Sequence, residues 1–144
     1  MRRRWPSPPR RLLNLVVTPT VRLGIGPANT FLLTVPGRKT GRLYTTPVTL
    51  VDYAGERWLV APFGEREWVK NARASGRVRL TRGSRRITVD ATEIPAVERA
   101  GILRAYVEAV PFVAKFFDVA EGAPEAAYAA EASRHPVFKL RPQP

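Results

Sequence analysis

The sequence predicts an α+β fold: a small, mainly antiparallel β-barrel with flanking helices. Three observations predict it. Short, β-branched apolar runs recur through the chain and are separated by Gly- and Pro-containing turns. Neighbouring runs read as antiparallel hairpins, and no β-α-β repeat is visible. Helical periodicity is confined to one segment in the middle of the chain and to the stretch before the last run. A length of 144 residues suits one domain, and a hydrophobic fraction of 44% can supply its core without disulfides or metal.

Residues 1–11 are rich in Pro and Arg and read as a basic tail; residues 12–144 read as the single domain. Residues 12–17 can form one or two helical turns, ended by Thr18-Pro19. Residues 30–35 form the first strand, closed by the turn pair Pro36-Gly37. Residues 44–52 alternate, are rich in Thr and Val, and read as strand two. Ala54-Gly55 connects them to strand three, residues 57–63. Residues 65–75 read as a helix, because Trp68, Val69 and Ala72 fit its period and Gly76 ends it. Residues 78–82 and 86–94 form a hairpin across Gly83-Ser84, with Ile87, Val89, Ala91 and Glu93 on one face. Residues 95–110 read as a helix opened by Pro95. Phe112, Phe116 and Phe117 follow at helical spacing and are expected in the core. Residues 125–133 read as an Ala-rich helix, and residues 136–140 as the last strand.

Charge is uneven. Twenty-four basic residues oppose twelve acidic ones, for a net charge of +12. No acid precedes Asp52, and a second acid-free stretch from Lys70 to Val89 carries six arginines. Such a field favours an anionic partner: nucleic acid, an anionic membrane face or a polyanionic small molecule. An Arg-rich composition also leaves many such side chains simply solvated. The absence of cysteine excludes thiol nucleophiles, disulfides and Cys-ligated zinc. A single histidine, His135, excludes a His-rich metal site, and no metal is expected. Its place before Pro136, at a strand entry, reads as structural. No apolar run approaches the ~20 residues of a membrane span, and no signal peptide is expected. A cytoplasmic location is therefore expected, with peripheral membrane contact open to the basic N-terminus, where Trp5 and residues 12–17 lie among arginines.

Two clusters can carry chemistry. Pro36-Gly37-Arg38-Lys39-Thr40-Gly41-Arg42 places three cations in a glycine-bracketed turn, where backbone N–H groups can approach an anion. It is not a P-loop, because the first glycine of that motif is missing and no long helix follows. An ordinary basic hairpin turn is the competing reading. The second cluster is Ala61-Pro62-Phe63-Gly64 and the helix after it. There Trp68 and Asn71, three apart on one face, offer a flat ring and a bifunctional amide near a helix N-terminus. By itself it reads rather as a core Trp and a surface Asn.

Together the clusters resemble a known family. The series Leu32-Leu33-Thr34-Val35-Pro36-Gly37-Arg38-Lys39-Thr40-Gly41, then Thr46-Pro47-Val48, Trp58-Leu59-Val60-Ala61 and Trp68-Val69-Lys70-Asn71 is similar to the deazaflavin-dependent nitroreductase family. Those are split β-barrel proteins that bind coenzyme F420. The likeness runs from about residue 30 to residue 140, including His135-Pro136-Val137-Phe138. It implies that Arg38, Lys39 and Thr40 hold the phosphate and acidic tail of the coenzyme. Tyr44, Thr45, Thr46, Pro47, Val48 and Thr49 would line the strand beside it. Ala61, Pro62 and Phe63 would run past the deazaflavin ring, and Trp68 and Asn71 would close the phosphate end. Tyr106 is the candidate catalytic residue. The segment between Phe63 and Trp68 departs from the family: it is short and carries Glu65, Arg66 and Glu67 in place of a Gly-rich loop. The implied activity is hydride transfer to a small organic acceptor, by a monomer or homodimer with no specific nucleic-acid partner. The alternatives are a split barrel binding flavin mononucleotide (FMN) or haem, a cofactor carrier without turnover, and a non-catalytic nucleic-acid-binding barrel.

Overall fold

The computed structural model describes residues 29–143. The expected basic tail, the helical turns of residues 12–17 and the boundary at residue 11 lie outside them. Six strands close into an antiparallel barrel: β1 (Thr30–Pro36), β2 (Leu43–Tyr53), β3 (Glu56–Val60), β4 (Arg77–Arg82), β5 (Arg85–Glu93) and β6 (Val137–Pro142). Their order around the barrel is β1-β2-β3-β6-β5-β4, and β1 pairs with β4 to close it. The expected α+β barrel is therefore what the chain forms. Helix α1 (Glu67–Ser75) connects β3 to β4; α2 (Ala100–Ala109) and α3 (Glu125–Ala129) lie between β5 and β6.

Two apolar clusters hold this arrangement. The first fills the barrel with Leu33, Val35, Leu50, Leu59, Val78, Leu80, Val89 and Phe138, and α1 adds Val69 and Ala72 to it. The second lies outside the barrel, where Val51, Trp58, Val60 and Val137 meet Ile102, Leu103, Tyr106 and Val107 of α2. Adjacent residues such as Leu50-Val51 and Leu59-Val60 are consequently both buried, because the two faces of their strands are both covered.

Several expected boundaries move. Strand three ends at Val60, and Gly64 adopts a left-handed φ of 83° that starts a turn, so α1 begins at Glu67. The expected helix over 95–110 breaks into a 3₁₀ turn, Ala96–Glu98, and α2. At the break, buried Arg99 donates to the carbonyls of Ile94 (3.0 Å) and Ala132 (2.8 Å) and to Glu93 (3.2 Å), fastening α2 to the barrel. The helix over 125–133 likewise stops at Ala129 and is followed by a 3₁₀ turn, Ala132–Arg134.

The phenylalanine expectation is corrected. Phe117 is buried, but Phe112 is 69% and Phe116 42% exposed. Their segment, Pro111–Phe116, is a 3₁₀ helix with three residues per turn, so a spacing of four no longer selects one face. Ile87 is also exposed, although Val89 and Ala91 of the same strand are buried; it lies near the turn of the β4–β5 hairpin, two residues from Arg85.

Candidate functional site

The β1–β2 turn, residues 37–42, is closed by its own backbone. Gly37 N donates to Arg42 O (2.7 Å) and Gly41 N to Gly37 O (2.9 Å). Gly41 has φ 77°, which an L side chain rarely adopts. Gly37 is needed for a different reason: a Cβ there would lie 2.8 Å from Cε2 of Tyr44. The Thr40 hydroxyl accepts from Arg42 N at 3.2 Å, which leaves its proton free for a ligand. Lys39 and Arg42 are exposed, and neither has an ion-pair partner among the described residues.

Arg38 is held differently. Its backbone N–H (3.1 Å) and its Nη1 (2.8 Å) both donate to Oδ1 of Asn71 on α1. Nη1 also lies 2.9 Å from Glu67, whose carboxyl this contact holds below its ordinary pKa. Asn71 is thus neither a surface residue nor an open amide. It is buried, and its oxygen is committed to the turn. Trp68, one turn earlier on the helix, is half-buried, with its ring centroid 6.4 Å from that of Phe138.

Strand alternation divides the β2 run that sequence reasoning treated as one wall. Val48 packs with the barrel interior, and Tyr44 and Thr46 share its face. Thr45, Pro47 and Thr49 face outward, where Thr45 hydrogen-bonds Thr34 (3.0 Å). Arg79 of β4 stands across β1 from Thr45, in register with Thr34. Arg79 has its pKa lowered by burial and by Arg86. On the outer face of β2-β1-β4 the β1 residues Thr30, Leu32 and Thr34 are buried, so only the half-buried β2 residues Thr45, Pro47 and Thr49 and Arg79 of β4 are accessible beside the cationic turn. Sequence reasoning counted these arginines but had no register with which to place them.

The second cluster separates too. Ala61 is buried in the barrel and its N–H donates to Pro136 O. The Pro62 carbonyl accepts from His135 Nδ1 at 3.0 Å. His135 is itself buried, stacks on Phe117 at 3.9 Å and lies 3.4 Å from buried Glu131. Phe63 is 48% exposed and meets Phe116 edge-to-face, with ring centroids 4.6 Å apart. Arg66 and Lys115 flank this pair, each over one ring. Tyr106 is not brought to the turn. It is buried in the helix-side cluster with Val51, near the far end of β2, and burial pushes its hydroxyl pKa up to about 12. An open depression lined by Asp52, Glu56, Arg57 and Leu140 lies at that same far end, away from the cationic turn.

The family model for F420H(2)-dependent quinone reductases matches residues 25–116. The chain belongs to this family. Its members are oxidoreductases, which answers the question that the cationic turn alone left open. The solved structure of an F420-H2 dependent reductase (FDR-A) is 24% identical, with a TM-score of 0.56 over 78% of this chain and 94% of that one. A protein described as a domain-swapped dimer has 22% identity and a TM-score of 0.57, covering 81% and 83%. HutZ, the heme storage protein of Vibrio cholerae, shares the barrel at 10% identity and a TM-score of 0.57, covering 81% and 82%. At these identities the neighbours speak to the fold alone. No curated protein matches the chain. Among the described residues no helix is long and apolar enough to cross a membrane.

Proposed function

We propose that this F420-family oxidoreductase binds the deazaflavin coenzyme at the cationic turn and along the adjoining half-buried residues of β2, and reduces a small, flat, quinone-like acceptor. The observation that carries this reading is the glycine-bracketed turn, which presents two exposed cations without ion-pair partners among the described residues and a third, Arg38, fixed in place. The donor set suits the coenzyme's phosphodiester and carboxylate tail. Arg38 and Arg42 offer planar forks, Lys39 a point charge, and Thr40 a hydroxyl proton. Thr45, Pro47 and Thr49 supply the adjoining outward wall. When bound in its reduced form, the coenzyme supplies the hydride.

The chain's own residues orient and shield. The turn anchors one end by charge, and the half-buried Thr45 and Thr49 of β2 offer hydroxyls beside it. The exposed Phe63–Phe116 pair gives an apolar, aromatic surface against which a planar acceptor can pack. Tyr106 is replaced in this reading as the direct proton donor, because its hydroxyl is buried beneath α2; solvent can supply the proton. A homodimer is the assembly we favour, by analogy with the dimeric neighbour. Family membership favours deazaflavin over FMN, haem or nucleic acid.

The test is a fluorescence titration of the purified protein with oxidised coenzyme F420, FMN and single-stranded DNA. Saturable binding of the deazaflavin that weakens with added salt is expected. Tight FMN binding with none for the deazaflavin would overturn the proposal.

A further inference from the structure

We propose that Asn71 is a positioning residue that presents Arg38 to an anionic ligand, and that Glu67 is the intramolecular anion which the ligand displaces. The inference rests on the reading of the turn as the coenzyme's anion site, and goes beyond it by assigning roles on the neighbouring helix.

The geometry is specific. The Arg38 backbone N–H and guanidinium Nη1 can only donate, so the side-chain atom of Asn71 facing both must be its oxygen. One oxygen therefore fixes the turn's backbone and the guanidinium together. The remaining backbone closure of the turn is internal, between Gly37, Gly41 and Arg42, and does not restrain the Arg38 side chain. Asn71 is only 4% exposed, so water does not compete for that oxygen. A neutral amide orients the guanidinium and leaves its charge intact. An aspartate of nearly the same shape would orient it equally and cancel the charge.

Glu67 stands four residues before Asn71, hence on the same face of α1. Its carboxylate reaches the same Nη1 at 2.9 Å, but its side chain is 73% exposed against 26% for Arg38. An exposed ion pair of this kind is weak and easily exchanged. The arrangement is therefore a cation held firmly from behind and loosely capped in front.

The experiment measures coenzyme F420 affinity and steady-state kinetics for the wild type, Arg38→Ala, Asn71→Ala, Asn71→Asp, Glu67→Gln and the Arg38→Ala/Asn71→Ala double variant. Amide NMR spectra report the backbone N–H of residue 38 in each. Asn71→Ala is expected to weaken affinity about tenfold, the loss of one charge-assisted hydrogen bond. That loss should appear in the KM for coenzyme more than in kcat. Asn71→Asp is expected to keep the Arg38 amide signal near its wild-type position and still lose affinity. If Asn71→Ala fails to fold, Asn71→Asp carries the same test. Glu67→Gln is expected to tighten binding by about twofold. In the Arg38→Ala background, Asn71→Ala should add much less than in the wild type, because only the bond from the residue-38 backbone N–H is left to lose. An undiminished further loss there overturns the positioning role while the anion site stands. Unchanged affinity in Arg38→Ala overturns the anion-site reading, and this inference with it.

Discussion

The two halves of β2 contrast. Around Leu50 and Val51 both faces of the strand are buried, one by the barrel interior and one by α2. From Thr45 to Thr49 every residue is only half-buried, and the polar side chains alternate to both sides. The same strand thus anchors the fold at one end and, in the proposed function, borders the coenzyme at the other. The difference teaches where substitutions divide: apolar truncation at the packed end should cost folding, whereas charge removal at the turn end should cost binding.

The sharpest break of that division is expected in the shared core. Phe138→Ala empties a fully buried site in the barrel and should destabilise the protein by about 3–5 kcal/mol. Coenzyme affinity of the folded fraction should be retained. Urea unfolding paired with a binding titration reads both quantities, and a loss of affinity without a loss of stability would erase the distinction.

At the other end, replacing Arg38 and Lys39 with alanine should reduce coenzyme affinity by at least about tenfold. The melting temperature should fall by only a few degrees, because Lys39 is exposed without an ion-pair partner among the described residues and Asn71 keeps its bond from the residue-38 backbone N–H. A large fall in melting temperature would mean that the turn belongs to the scaffold.

His135 tests the scaffold from a third position. Its ring is buried between Phe117, Glu131 and the Pro62 carbonyl. His135→Gln should cost about 1–3 kcal/mol of stability and leave most of the turnover. A hundredfold fall in kcat with folding and binding intact would move this residue into the reaction.

The smallest expected effect is a dependence of stability on acid. The backbone N–H of Asp118, at 2.7 Å, and after it His135 hold the Glu131 carboxyl below its ordinary value of 4.5, against an opposing effect of burial. A carboxyl with a depressed folded-state pKa stabilises the fold fully above its unfolded value. The contribution is lost as pH falls from 4.5 through the folded value. Urea midpoints measured on the acid side of neutrality should fall in this window, and less steeply for Glu131→Gln. Equal slopes would remove Glu131 from the account.

Much of the fold was legible because alternation and turn chemistry are local. The β1–β2 hairpin followed from residues 30–35, Pro36-Gly37 and the Thr/Val run after it. The hairpin across Gly83-Ser84 was equally clear. What escaped depends on contacts between distant residues. Arg99 breaks a helix that periodicity made continuous, by reaching Ala132 thirty-three positions away. Asn71 reads as a polar residue on a helix face, and only its meeting with Arg38 makes burial tolerable. The run from Tyr44 to Thr49 could be placed beside the turn. Treating it as one wall overlooked that a strand gives each side only every second residue. Tyr106 was singled out for its chemistry, but its position on α2 turns the ring into the core.

The position of β6 has a consequence for synthesis of the chain. β6 lies between β3 and β5 in the closed order, yet it is the last of the described strands to be made. Until it emerges from the ribosome, the earlier strands can assemble only as an open sheet ordered β3-β2-β1-β4-β5. That sheet has two bare edges, and one of them carries the apolar Trp58-Leu59-Val60 run. Bare apolar edges invite pairing with other nascent chains. The late strand works as a keystone, and the yield of native protein should depend on how soon it arrives.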